Sequence, residues 1–343
     1  MSLPDILKKI VKNEDLSRED YYQALSEIME GNVSEILTSS FLTALSLRPY
    51  KGDELAGLSS AMRKFALPIS IDKHPIIDTC GTGGDRKGTF NISTTTALVC
   101  AGAGIYVAKH GNRSATSSCG SADVLEYLGV VIDLPPDRVA KCVEEVGIGF
   151  LFARKFHPAM KNVAKIRSEL PFPTVFNLIG PLSNPVSLDG QIIGVFAKEL
   201  LEPIAKALQK LGMKKGFVVW GNDGVDELSI SDKTDVVEIS EENIKHYQVS
   251  PEDFGLSRHP IENIKGGTLE KNAEIVRSVL IGEKTPYRDA VLLNAIFGIL
   301  VSGKTSDWKD AIHIAEESID SRKAMDRLEN LIKYSRQFAK EVL

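Results

Sequence analysis

Residues 75–101 read PIIDTCGTGGDRKGTFNISTTTALVCA. The apolar run from Pro75 to Asp78 suits a short buried strand, and glycines at 81, 83 and 84 then break it. Thr89, Asn91, Ser93 and Thr94 lead into an apolar stretch, Ser93 to Ala101, that suits a helix. A strand, a glycine-rich turn and a helix in this order open an α/β unit. Glycines allow successive backbone N–H groups to point into one concavity, and a helix N-terminus adds partial positive charge. Such a turn suits a phosphate or pyrophosphate; the alternative is a tight turn followed by an N-cap. It is not a Walker A loop, because no G-K-[ST] follows. Nor is it G-x-G-x-x-G, because Arg86 stands where the third glycine belongs.

The pattern continues downstream. Candidate strands are Ile105 to Ala108, Gly149 to Phe152, Gln191 to Phe196 and Phe217 to Trp220. Candidate helices between them are Ser121 to Leu128, Asp137 to Val146, Pro158 to Leu170 and Leu200 to Leu211. This alternation predicts a larger α/β domain with a mainly parallel central sheet. Upstream, the texture is helical only. Ser17 and Asp20 form an S-x-x-D start signal, Val33, Ile36, Leu37, Phe41 and Leu45 share a stripe, and a further helix runs from Asp53 to Phe65. Pro68 ends this small N-terminal helical domain, and helices return from about Gly267 to the C-terminus. Between His157 and Val186 lies PFPTVFNLIGPLSNP, whose prolines predict a rigid linker, neither helix nor central strand, returning near the helical block. The expected domains are 1–68, joined by about 160–186, and 75–158 with 190–343.

Composition narrows the class. The chain has 343 residues, 41 Lys+Arg against 46 Asp+Glu, a net charge of −5, 43% hydrophobic and 25% charged residues. A mild acidic excess argues against nonspecific nucleic-acid binding, and the apolar content argues against disorder. The bulkiest apolar run, Ala295 to Val301, falls far short of the ~20 residues a membrane span needs. Cys80, Cys100, Cys119 and Cys142 form no C-x-x-C pair, as expected of reduced thiols in a cytoplasmic protein. No H-E-x-x-H occurs, so a zinc hydrolase has no support.

Three further clusters carry chemistry. Lys109-His110-Gly111-Asn112-Arg113 follows the second strand and is trailed by Ser114, Ala115, Thr116, Ser117 and Ser121. Cations and hydroxyls at a strand's carboxyl end suit an anionic ligand, since open α/β sheets bind ligands there; a solvated basic loop is the alternative. Asp226-Glu227 follows the strand ending at Trp220. Adjacent carboxylates repel, and a hard divalent cation such as Mg²⁺ removes that cost; a solvated acidic turn is the alternative. Last, His157, Met160, Lys161 and Arg167 share one predicted helix at offsets that place several on a common face. Arg167 there could clamp a carboxylate, although spacing alone favours an exposed salt-bridge face.

The ordered set D-T-C-G-T-G-G-D, N-I-S-T, K-H-G-N-R, G-S-A-D, H-P-A-M-K, F-N-L-I-G-P-L-S-N-P and G-V-D-E-L-S resembles the anthranilate phosphoribosyltransferases over essentially the whole chain. The resemblance implies a nucleoside phosphorylase-like fold, a homodimer formed through the helical domain, and transfer of the phosphoribosyl group of phosphoribosyl pyrophosphate (PRPP) to anthranilate. By motif match it places PRPP on Gly81, Gly84, Asp85, Thr89, Asn91, Ile92, Ser93, Thr94, the Lys109 to Ser117 loop and Ser121. It places anthranilate against Gly81, Asn112 and Arg167, with His110, Met160, Gly180 and Pro181 along its route. Two Mg²⁺ ions per subunit are implied, one at Ser93 and Glu227, the other at Asp226 and Glu227. The chain departs from the family pattern at Ser118, where Lys is common, at Cys119, where Ser is usual, and at Pro171-Phe172-Pro173, where Gly-x-Arg is common.

Overall fold

The computed structural model describes residues 1–114, 119–241 and 243–342. A seven-stranded sheet forms its centre: β1 (Ile76–Gly81), β2 (Tyr106–Gly111), β3 (Ile148–Phe152), β4 (Gly190–Gly194), β5 (Gly216–Gly221), β6 (Thr234–Ile239) and β7 (Ile244–Val249). Their order is β3-β2-β1-β4-β5-β6-β7. The first five strands pair in parallel, and β6 and β7 extend the sheet as an antiparallel hairpin. The chain runs outward from β1 to β3 on one side, then returns to start β4 on β1's other flank. The strand order therefore reverses at β1/β4, the kind of switch point where open sheets leave a crevice at their carboxyl ends.

Strand side chains alternate between faces, and the sheet is buried on both. Ile192, Val219 and Val236 join one core with the helices Ile92–Gly102 and Pro286–Ser302. Their neighbours Ile193, Val218 and Val237 join a second core with the N-terminal helices Leu3–Val11, Arg18–Met29, Glu35–Ser46 and Gly52–Lys64. The start signal at Ser17 works as its sequence predicts: its hydroxyl accepts from Asp20 N–H at 3.2 Å, and Asp20 accepts from Ser17 N–H at 2.9 Å.

The β6–β7 hairpin has no counterpart among the strands expected from sequence. Its outer strand is half wet, with Lys245, His246 and Gln248 facing out, so no apolar run marks it. The proline-rich segment also differs from expectation. Phe176–Leu182 is a helix that contains Pro181. A proline so near the end of a seven-residue helix removes only one internal hydrogen bond. Phe176, Leu178, Ile179 and Leu182 bury themselves in the second core, which offsets that loss. The helix expected from Pro158 begins as a 3₁₀ turn, Pro158–Met160, and becomes α-helical over Lys161–Glu169.

Candidate active site

A cavity of about 340 Å³ opens where β1, β2 and β5 end, between the sheet and the helices Lys161–Glu169 and Phe176–Leu182. The loop after β1 forms its floor. Gly83 and Gly84 take left-handed φ values of +65° and +86°, which a side chain would resist. They turn the backbone so that Gly83 N–H donates to the Asp226 carboxylate at 2.7 Å. A Cβ on Gly81 would come within 2.5 Å of the same carboxylate, and one on Gly194 of β4 would overlap the Asp226 carbonyl oxygen. Two glycines on adjacent strands thus make room for the acid. Ser93 N–H, in the first turn of the helix Ile92–Gly102, donates to Glu227 at 3.2 Å, as a helix N-terminus favours.

Lys109 is 2% exposed. Its ammonium donates to the Thr79 carbonyl at 2.6 Å and reaches Ser93 Oγ at 3.4 Å, so it lies under the glycine loop. Asp78, also buried, accepts from His110 N–H at 3.3 Å and from the Asn184 amide at 3.0 Å. Asn91 ties the two site loops together: its amide donates to the Cys119 carbonyl at 3.2 Å, and the Cys119 thiol donates back at 3.3 Å.

Asp226 and Glu227 touch the cavity with part of their surface but are packed round by protein atoms. Burial, and then the neighbouring Asp85, push the Asp226 carboxyl up to about 7. Burial, and then Asp226, raise that of Glu227. Asp85 Oδ1 accepts from Lys87 N–H at 3.1 Å, while its buried Oδ2 has no hydrogen-bond partner among the described residues. Three acids crowded in this way lower their mutual cost by sharing a cation. No preassembled group of three His, Cys, Asp or Glu ligands occurs among the described residues.

The opposite wall has a different character. Arg167 is half-buried, its guanidinium lies over the Phe176 ring at 5.1 Å, and it has no ion pair among the described residues. Burial lowers its pKa. Asn177, Gly180 and Pro181 complete this wall, and Gln191 on β4 donates to the Pro181 carbonyl at 2.8 Å. At the back, His110 and His157 meet Nε2 to Nε2 at 3.2 Å. Burial holds them far below the ordinary histidine range, at about 3 and about 4.

Gly81, Gly84, Asp85, Thr89, Asn91, Ile92, Ser93, Thr94, the described residues Lys109 to Ser114, Ser121, Arg167, Gly180, Pro181, Asp226 and Glu227 all line this one cavity. Ala115, Thr116 and Ser117 lie outside the described residues. Three expectations change. Met160 does not line the cavity and packs against the second core. The Arg113 guanidinium is engaged by Asp123 at 2.9 Å and Glu126 at 2.8 Å, so it is not a free cation for a ligand. His157, Met160, Lys161 and Arg167 do not share an exposed salt-bridge face, because His157 precedes the helix and is buried, and Arg167 turns inward; the exposed ion pair of this helix is Lys165 with Glu35 at 3.0 Å. Sequence reasoning assigned no ligand role to Arg86, Ala153, Phe176 and Asn177, which also line the cavity. Only Arg86, a cation inside the glycine loop, carried a local signal.

Two family models match in order: the helical bundle domain of a glycosyl transferase family over residues 4–66 and its a/b domain over 73–325. An anthranilate phosphoribosyltransferase of Rubrobacter xylanophilus is 47% identical over 338 residues, covering 98% of each chain. The crystal structure of anthranilate phosphoribosyltransferase from Thermus thermophilus superposes with a TM-score of 0.92 at 46% identity, over 97% of this chain and 99% of that one. The enzyme from Saccharomyces cerevisiae, solved in complex with PRPP and Mg, gives 0.87 at 32% identity, over 98% of both chains. With both modules present and these relatives aligned nearly end to end, the chain belongs to the anthranilate phosphoribosyltransferase family.

Proposed function

We propose that the cavity performs the family's reaction on this chain: the phosphoribosyl group of PRPP passes to the amine of anthranilate, giving N-(5-phosphoribosyl)anthranilate and pyrophosphate, the second step of tryptophan synthesis from chorismate. The observation that carries this reading is the convergence of the glycine loop, Lys109 and the acids Asp226 and Glu227 on one floor, facing an Arg167 with no ion pair.

Asp226, Glu227 and Ser93 would hold Mg²⁺, with Ser93 and Glu227 at one ion and Asp226 and Glu227 at the other, and the orphaned Asp85 oxygen fits the same charge. Mg²⁺, when bound, neutralises diphosphate charge as the bond to ribose breaks. Few protein ligands suit it, since this ion keeps its waters and shares substrate phosphates. The chain's own groups do the rest. Backbone N–H groups of the glycine loop and the N-terminus of the helix Ile92–Gly102 cradle the departing pyrophosphate. Lys109 adds a fixed positive charge beneath them. Gly84, Asp85, Thr89, Asn91, Thr94 and the Lys109 to Ser117 loop with Ser121 surround PRPP. Arg167 and Asn112 orient the anthranilate carboxylate, with Gly81, His110, Gly180 and Pro181 beside its path. The aromatic amine is neutral near pH 7 and needs no general base before it attacks. His110, held neutral by burial, suits packing beside an aromatic ligand.

The same reading divides the chain into a helical domain, 1–68 with about 160–186, and an α/β domain, 75–158 with 190–343. The bond from Asn162 to the Met29 carbonyl at 2.8 Å and the burial of Val163 and Ile166 in the helical core support that division. It makes the helical domain the homodimer face, where Val11 and Ile36 are 81% and 75% exposed. It also places the protein in the cytoplasm, a compartment that suits four buried thiols with no disulfide among the described residues. Among the described residues no helix is long and apolar enough to cross a membrane. Mixing the protein with anthranilate, PRPP and Mg²⁺ tests the reaction: anthranilate fluorescence falls with turnover, and a signal that stays flat at micromolar enzyme overturns the reading.

A further inference from the structure

Among the described residues, four cations line the cavity: Arg86, Lys109, Arg113 and Arg167. Three are committed. Lys109 is buried and bonded to the Thr79 carbonyl, Arg113 is paired with Asp123 and Glu126, and Arg167 rests on Phe176 across the gap. Arg86 is exposed at the cavity mouth, and its guanidinium has no ion pair among the described residues. Its backbone is also unusual. Arg86 holds a left-handed φ of +56° in a loop where Gly83, Gly84 and Gly88 do the same. That conformation strains a residue with a side chain, a strain that glycine escapes.

The loop is nonetheless firmly held. Phe90 N–H donates to the Ile264 carbonyl at 3.2 Å, Gly266 N–H to the Gly88 carbonyl at 2.9 Å, and the Lys265 ammonium to the Lys87 carbonyl. Arg86 therefore stands on a fixed support with a long, unengaged side chain, beside a floor that carries three acids and would receive a diphosphate.

We infer that Arg86 is a further substrate-binding residue, which contacts the diphosphate of PRPP and the pyrophosphate product; this rests on the phosphoribosyl-transfer reading. A guanidinium matches phosphate oxygens in pairs. On the solvent side of the loop it offsets the charge that a buried ammonium alone leaves uncovered. It discriminates between ligands with and without a diphosphate, and it does not touch anthranilate.

The test compares Arg86→Gly and Arg86→Lys with the wild type by steady-state kinetics and by calorimetric titration with Mg²⁺-pyrophosphate. Arg86→Gly relieves the backbone, so its melting temperature equals or exceeds that of the wild type. Its KM for PRPP rises about tenfold, the loss of one charge-assisted contact. Pyrophosphate binding weakens to match, the salt dependence of kcat/KM for PRPP flattens, and the KM for anthranilate stays within twofold. Arg86→Lys recovers part of the loss. Wild-type turnover with an unmoved KM for PRPP and unmoved pyrophosphate affinity in Arg86→Gly overturns this inference alone. So does a variant whose two KM values rise together. A wild type that shows no PRPP-dependent turnover overturns the parent reading and this inference with it.

Discussion

On the cavity floor, backbone amides hold the acids: Gly83 N–H on Asp226 and Ser93 N–H on Glu227, with Lys109 fixed underneath. On the wall opposite, Arg167 rests on the ring of Phe176, and Pro181 is held through its carbonyl by Gln191. The floor is set by strand ends and a helix start, so its donors are in place before any ligand arrives, and such groups stabilise developing charge most effectively. The wall is set by side-chain packing between two layers. A leaving group of high charge calls for the first arrangement, and a flat aromatic acceptor for the second.

The comparison breaks most severely if the floor is neutralised without harm to the wall. Asp226→Asn with Glu227→Gln is expected to lower Mg²⁺-dependent turnover by about a hundredfold or more, the scale of losing a metal-assisted step, while calorimetry shows anthranilate binding intact. A double variant that keeps its rate at low Mg²⁺ removes the acids from the metal assignment. The converse experiment acts on the wall. Arg167→Gln should reduce kcat/KM for anthranilate by about 10- to 100-fold, as for a charge-assisted contact, and leave the KM for PRPP within twofold. Equal changes for both substrates would show that floor and wall act as one unit.

The smallest effect concerns the histidine pair behind both surfaces. Burial depresses His110 to about 3 and His157 to about 4 in the folded chain, against about 6.5 when unfolded. Between those values the unfolded chain binds protons that the folded chain refuses. The stability from keeping them neutral is thus complete above about pH 6.5 and is lost as pH falls toward 4. Chemical denaturation from pH 7 to 4.5 should show stability falling by up to roughly 1.4 kcal/mol per pH unit for each histidine. His157→Asn should flatten that slope, and an unchanged slope would mean the pair is already solvated.

The contrast between floor and wall also explains what the sequence made legible. The floor comes from contiguous runs, D-T-C-G-T-G-G-D, K-H-G-N-R and D-E, whose spacing alone suggests an anion and a cation. The parallel sheet was equally readable, because its strands are apolar runs buried on both faces. The wall was harder. Prolines at 171, 173 and 181 concealed the helix Phe176–Leu182, whose lost bond is offset only by tertiary packing. Helical spacing grouped Arg167 with His157, which lies before the helix, and favoured an exposed face; the family resemblance, not spacing, singled out Arg167 and put Met160 along the ligand's route. The Arg113 cation looked available until the fold brought Asp123 and Glu126 to it. The hairpin of β6 and β7 alternates charge with bulk and offers no apolar run to mark it.

Gly194 contributes no polar side chain to the chemistry, yet it lies beneath the Asp226 carbonyl with no room for even a methyl group. Strand β4 thus acts as a shim whose thickness fixes how deep the acid sits, and the tolerance is less than one carbon atom. In a saturation library scored for growth without added tryptophan, position 194 should be among the most depleted, alongside the acids themselves, although nothing at that position ever meets a substrate.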